Sequence, residues 1–141
     1  MEKTILNINL DMIGRTRTPA DTGLFMGIKP NVTGKDEIML YSQHKSTQLM
    51  NTVLAAATKT GVKVDDMGPN LEFGGSDHQS FASKKVPFLF FHSGIHTDLH
   101  SIRDDAERLD YDKMEKVSKL IFLVGYNIAN SRNGVVMDAS K

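Results

Sequence analysis

Short apolar runs alternate along this chain with longer amphipathic stretches, and their two periods separate strands from helices. Between Thr4 and Ile13 the apolar residues Ile5, Ile8, Leu10, Met12 and Ile13 are interrupted by Asn7, Asn9 and Asp11 at two-residue spacing. The segment reads as a buried strand with three polar side chains on one side. Gly14 releases the chain into "RTRTPADTG", where Arg15 and Arg17 read as surface cations. Pro30, Asn31 and Gly34 make "GIKPNVTG" turn-like. Lys35 to Ser42 is a second strand centred on Ile38, Met39, Leu40 and Tyr41. Ser42 is the expected cap of a helix over 43–60, with the stripe Leu49, Met50, Val53, Leu54 and Ala57 and a stop at Gly61.

Val62 to Asp66 is a short strand, and Ser76 is the expected cap of a short helix reaching about Lys84. "VPFLFF", Val86 to Phe91, is the strongest strand signal; its unbroken apolar run suits a strand covered on both faces, with Pro87 near its start. A polar loop follows, long enough to suggest a site or a lid. Asp110 then caps a long amphipathic helix carrying Met114, Val117, Ile121, Val124 and Ile128, terminated at Asn133-Gly134. The order β–β–α–β–α–β–α predicts a three-layer α/β/α sandwich with a mostly parallel or mixed sheet. An antiparallel connection between the first two strands is the alternative to a wholly parallel sheet. Residues 1–134 form one α/β unit, and 135–141 are expected to be a flexible tail.

Composition narrows the chemistry. In 141 residues, Lys plus Arg and Asp plus Glu both total 17, so there is no electrostatic case for a nucleic-acid partner. Phe88, Phe90 and Phe91 beside Lys84-Lys85 read as strand core, not as a base-stacking platform. The absence of cysteine excludes disulfides, thiolate nucleophiles and cysteine-ligated metals. No apolar stretch approaches the roughly 20 residues needed to cross a bilayer. "MEKTILNINLDMIG" has no signal-peptide pattern, and the compartment stays open.

Three places carry candidate chemistry. Asp11 ends an otherwise apolar strand, where a carboxylate needs a hydrogen-bond partner or a ligand; both readings stand. Gly74-Gly75-Ser76-Asp77-His78 permits a close backbone approach, with Asp77 and His78 available either for capping and surface roles or for proton and binding chemistry. His92, His96 and His100 recur every four residues with Asp98, Asp104 and Asp105 nearby. Because His92-Ser93-Gly94 leaves a strand directly, the three histidines need not share a helix, and one or two of them in a carboxylate-rich site is the better reading. Zinc accepts imidazole and carboxylate. The chain has no HExxH, P-loop, GxGxxG or GxSxG motif, and Glu115 with Lys119 reads as a surface helix pair.

"NLDMIG", "GSDHQSF" and "VPFLFFHSGIHTDLHSIRD", in that order and followed by a terminal helix, resemble the carboxyl-terminal half of a co-catalytic zinc aminopeptidase domain, a family that includes bacterial aminopeptidases and glutaminyl-cyclase-like proteins. The resemblance covers roughly residues 5–130. It implies that Asp11 and His100 are zinc ligands, with Leu99 standing where the family usually has tyrosine. It also implies that Asp104 supports a ligand from behind, that His96 is a substrate-side or structural residue, and that Asp77 and His78 contribute to the pocket. In such a family a water between two zinc ions attacks the scissile carbonyl, a glutamate takes its proton, and the amino-terminal residue of a peptide is released.

The histidine, bridging aspartate, catalytic glutamate and further acidic ligand of that arrangement would precede this chain. Asp11 and His100 would then leave each zinc only one protein ligand here, too few for a tetrahedral site. The expectation is therefore a partial domain: the carboxyl-terminal part of a zinc-dependent aminopeptidase, acting on peptides when complete and inactive alone, with zinc bound weakly or not at all. Association with a missing upstream segment or with a second copy follows. A non-catalytic binding or assembly module that kept the fold is the alternative. Relatives of this kind are often exported.

Overall fold

The computed structural model describes residues 3–42, 46–68 and 75–138. Its elements are β1 (Asn7–Asp11), β2 (Glu37–Ser42), α1 (Thr47–Thr60), β3 (Lys63–Asp66), α2 (His78–Ala82), β4 (Phe88–His92) and α3 (Tyr111–Ala129), with a 3-10 turn over Ala106–Arg108. The element order is the one the hydrophobic pattern predicts. Gly74 and residues 43–45, which the sequence assigns to a turn and a helix start, lie outside the described residues.

The strands form one mixed sheet in the order β1-β4-β2-β3. β1 runs parallel to β4, β4 antiparallel to β2, and β2 parallel to β3. The first two strands are therefore not paired with each other, because β4 lies between them. All five β4 residues are buried, and a strand apolar on both faces belongs inside a sheet. β1, with its alternate polar residues, takes an outer position.

Ile38, Leu40, Leu89 and Phe91 point to one face, where Val53 of α1 and Val117, Leu120 and Val124 of α3 complete the main core. Met39, Tyr41, Phe88 and Phe90 point to the other, where Ala82 of α2 packs against them. These are the three layers expected from the sequence.

Two expected caps are corrected. Ser42 is the last residue of β2; α1 is capped instead by Ser46, whose extended backbone lets its Oγ accept from the Leu49 amide. Ser76 does not cap α2, which ends at Ala82, short of Lys84; its Oγ accepts from Asn9 Nδ2 at 2.8 Å. Gly61 and Asp110 serve as expected, the first in a left-handed conformation and the second accepting from the Lys113 amide. Part of the segment expected to be a tail lies among the described residues. Ser46 Oγ donates to the Val136 carbonyl, the Val136 amide donates to Gln48 Oε1, and the Thr47 amide donates to Asp138, so residues 135–138 are tied to the start of α1.

Lys113 is the feature that the helical stripe conceals. One turn into α3 its side chain is fully buried, and Nζ donates to the Arg15 carbonyl at 2.8 Å, Thr33 Oγ1 at 2.8 Å and the Gly34 carbonyl at 3.0 Å. Three acceptors match the three protons of an ammonium. The segment after β1 is seated on α3 by further contacts: the Asp110 amide donates to the Gly14 carbonyl and Thr16 Oγ1 to the Asp110 carboxylate. Gly14 approaches α3 closely: a Cβ there would lie 2.8 Å from the Met114 sulfur, and that side chain would have to shift.

Burial pushes the Lys113 pKa down from 10.5 to about 8, against the pull of Asp110, Glu37 and Asp36. The unfolded chain thus holds more protons than the folded one between those values, and Lys113 makes the fold more stable as pH rises from 8 to 10. Above that range the buried Tyr41 hydroxyl, whose pKa burial raises, acts in the opposite direction. Lys113→Met strands three acceptors and is expected to cost about 3 kcal/mol or more of stability in urea unfolding. It is also expected to flatten the rise between pH 8 and 10.

Candidate functional site

Asp11 and His92 end the parallel strands β1 and β4 and stand opposite each other in register. Parallel strands deliver their last side chains to the same edge of the sheet, where ligands of open α/β folds are received. Met12 follows at φ +56°, and its carbonyl accepts from the Ser93 amide at 3.2 Å, so the two chains stay paired as they leave the sheet. Asn7, Asn9 and Asp11 share the face of Phe88, Phe90 and His92, the alternation that the sequence predicts.

His92 is buried, and its Nδ1 accepts from the Gly94 amide at 2.8 Å, which assigns the ring proton to Nε2. Burial pushes its pKa down from 6.5 to about 4; Asp11 opposes this, while His96 and His78 reinforce it. At neutral pH the ring is uncharged. His78 is also buried, stacked on Phe90 with a centroid separation of 4.3 Å and with Nδ1 3.5 Å from Asn9 Nδ2. Asp77 stands exposed at the start of α2 and makes no side-chain cap.

The loop from His92 to Asp110 lies against residues 17–34. Gly94 makes this approach possible: its φ is +92°, and a Cβ would sit 2.4 Å from the Asn31 carbonyl oxygen. The Asn31 amide donates to the Ile95 carbonyl, and the Ile95 amide to Asn31 Oδ1. His96 is buried there with Nε2 3.7 Å from Asp104 Oδ2. Burial, followed by the Arg15 charge, lowers its pKa against the pull of Asp104, Asp98 and Asp21.

Arg15 is not the surface cation that its polar surroundings suggest. It is buried, donating from one guanidinium nitrogen to Asp104 at 2.7 Å and from another to Asp98 at 3.0 Å. Asp98 also accepts from Arg103 Nε at 3.0 Å and from an Arg108 nitrogen at 2.8 Å. The hydrogen bond from Arg15, with support from Arg103 and Arg108, lowers the Asp98 pKa despite its burial. Nothing local in "RTRTPADTG" marks Arg15 as buried; its two partners are 83 and 89 residues away.

His100 sits in the turn between these carboxylates. Its backbone is left-handed, φ +55°, its side of the turn is exposed, and its ring meets Phe25 edge-on with centroids 5.9 Å apart. His92, His96 and His100 thus occupy a strand and a loop and not one helix. Asp11 and His100 are the right chemical types for zinc, one carboxylate and one imidazole. A catalytic zinc takes three protein ligands, and among the described residues no three His, Asp or Glu side chains converge on a common point. Among the described residues the donor set does not by itself fit the metal.

No curated protein matches the chain. Solved structures of aminopeptidases share its fold. The Legionella pneumophila LapA aminopeptidase matches with a TM-score of 0.65 at 18% identity, over 90% of this chain and 31% of that one. The aminopeptidase from Aneurinibacillus sp. strain AM-1 matches with a TM-score of 0.61 at 19% identity, over 99% of this chain and 29% of that one. The chain therefore spans about a third of the length of either. A sequence model of peptidase family M28 matches residues 1–124, and on that match the chain belongs to peptidase family M28.

Proposed function

We propose that this chain is the carboxyl-terminal portion of a zinc-dependent aminopeptidase, which in complete form hydrolyses the amino-terminal peptide bond of peptides. Membership of a peptidase family supports the reaction class, and two neighbours described as aminopeptidases support the exopeptidase reading. The observation that carries it is the placement of Asp11 at the carboxyl edge of β1, opposite the end of β4, from which the loop bearing His100 departs.

In this reading Asp11 and His100 are zinc ligands to separate ions, and the remaining ligands and the general base come from outside this chain. His96 and Asp104 stand behind the His100 turn. His78 and Asp77 line or support the pocket from the α2 side. The shortfall of converging ligands among the described residues agrees with a site completed elsewhere. It equally favours the second reading, a non-catalytic binding or assembly module.

A surface left for other segments belongs to the same proposal. Ile5 and Leu10 on the β1 side are 54% and 42% exposed, and Phe122 and Tyr126 on α3 are 69% and 58% exposed.

Three measurements test this. Calorimetric titration of the metal-free chain is expected to give zinc binding weaker than about micromolar, weakened a further tenfold or so by Asp11→Asn and by His100→Ala. Micromolar or tighter binding, unchanged in both variants, overturns the ligand assignment. With zinc present, the chain alone should release no amino-terminal residue from a peptide above the metal-free control; activity above it overturns the incomplete site. Sedimentation at rising concentration is expected to show association, and a clean monomer throughout overturns the proposed open surface.

A further inference from the structure

We infer that Arg15 is a positioning residue for His100: its guanidinium ties both ends of the turn from Asp98 to Asp104 and so holds the histidine between them in its left-handed conformation. This rests on the proposed function only for why His100 matters, since the geometry stands without it.

Arg15 is fixed from two directions. Its carbonyl accepts from the buried Lys113 Nζ at 2.8 Å, while its side chain reaches Asp98 at 3.0 Å and Asp104 at 2.7 Å. The turn is closed inside those two carboxylates by backbone bonds from the Ser101 amide to the Asp98 carbonyl and from the Asp104 amide to the Ser101 carbonyl. His100 lies within it at φ +55°, a conformation that a side chain other than glycine seldom adopts unless its surroundings impose it. Arg103 and Arg108 complete the shell of Asp98, so the carboxylate at the start of the turn has guanidinium groups on both oxygens.

A buried cation shared between two carboxylates is a poor way to gain stability alone, because apolar side chains of similar volume commonly do as well. What it supplies is direction. A planar fork binds two carboxylates at fixed angles, and an ammonium at the same position does not. The outcome is a histidine whose ring is presented against Phe25 before any ligand arrives.

The test is NMR of the metal-free chain comparing wild type with Arg15→Lys, which keeps the charge and loses the fork. In the folded variant the His100 ring protons are expected to lose the shift imposed by Phe25. The Ser101 and Asp104 amides are expected to exchange about tenfold faster or more, while α3 and β4 amides stay protected. A folded Arg15→Lys protein with unchanged His100 resonances and unchanged exchange overturns the inference. If Arg15→Lys does not fold, Asp104→Ala decides in the same way, since it removes one tie at a partly exposed carboxylate. His100→Ala in the zinc titration reads the ligand assignment separately: zinc binding indifferent to His100, together with a His100 signal that depends on Arg15, removes the ligand reading and keeps the positioning one.

Discussion

A single ammonium group joins the parts of this molecule that carry chemistry. Lys113 projects from the first turn of α3 into the interior and finds three oxygens, from Arg15, Thr33 and Gly34. Those acceptors belong to the two polar segments that follow β1 and precede β2. A buried ammonium tolerates no unfilled proton, so both segments must come to it. The Thr33 amide and hydroxyl in turn donate to the Ser93 carbonyl, which connects the same point to the loop leaving β4. Three stretches distant in sequence are held together by one charge and its partners.

From that anchor the electrostatics run outward in order. Arg15, with its backbone held by Lys113, turns its guanidinium to Asp98 and Asp104. Asp98 collects Arg103 and Arg108. The Arg15 hydrogen bond, with Arg103 and Arg108 beside it, lowers the Asp98 pKa although the carboxylate is buried. The histidines follow the other logic: His92 and His96 are buried where burial outweighs the nearby carboxylates, so they remain neutral. The carboxyl edge of β1 and β4 thus carries the uncharged His92 imidazole opposite Asp11, and the Arg15–Asp98–Asp104 cluster lies in the segments that leave it.

The fold was largely legible from spacing. The alternation in β1, the unbroken apolar run of β4 and the three-and-four stripe of α3 each describe a local geometry, and each element formed where its period demanded. The misplaced boundaries were caps and pairings. Ser42 and Ser46 are equally good capping residues in sequence, and only the position where β2 stops pairing with β4 separates them. The candidate site was only partly legible. Asp11 was visible as a carboxylate ending an apolar strand, and His100 and Asp104 through the order of motifs. Arg15 and Lys113 were invisible, one inside a polar run and the other on what looked like the charged flank of an amphipathic helix.

By itself the sequence determined the elements, their order and the residues able to bind metal or move protons, because these depend on interactions within a few positions along the chain. Tertiary structure alone decided that β4 lies between β1 and β2, that Arg15 and Lys113 are buried, and that His100 is held left-handed beside Phe25. Those outcomes depend on partners roughly fifty to a hundred residues apart, and the cost of burying a charge is set by what meets it there.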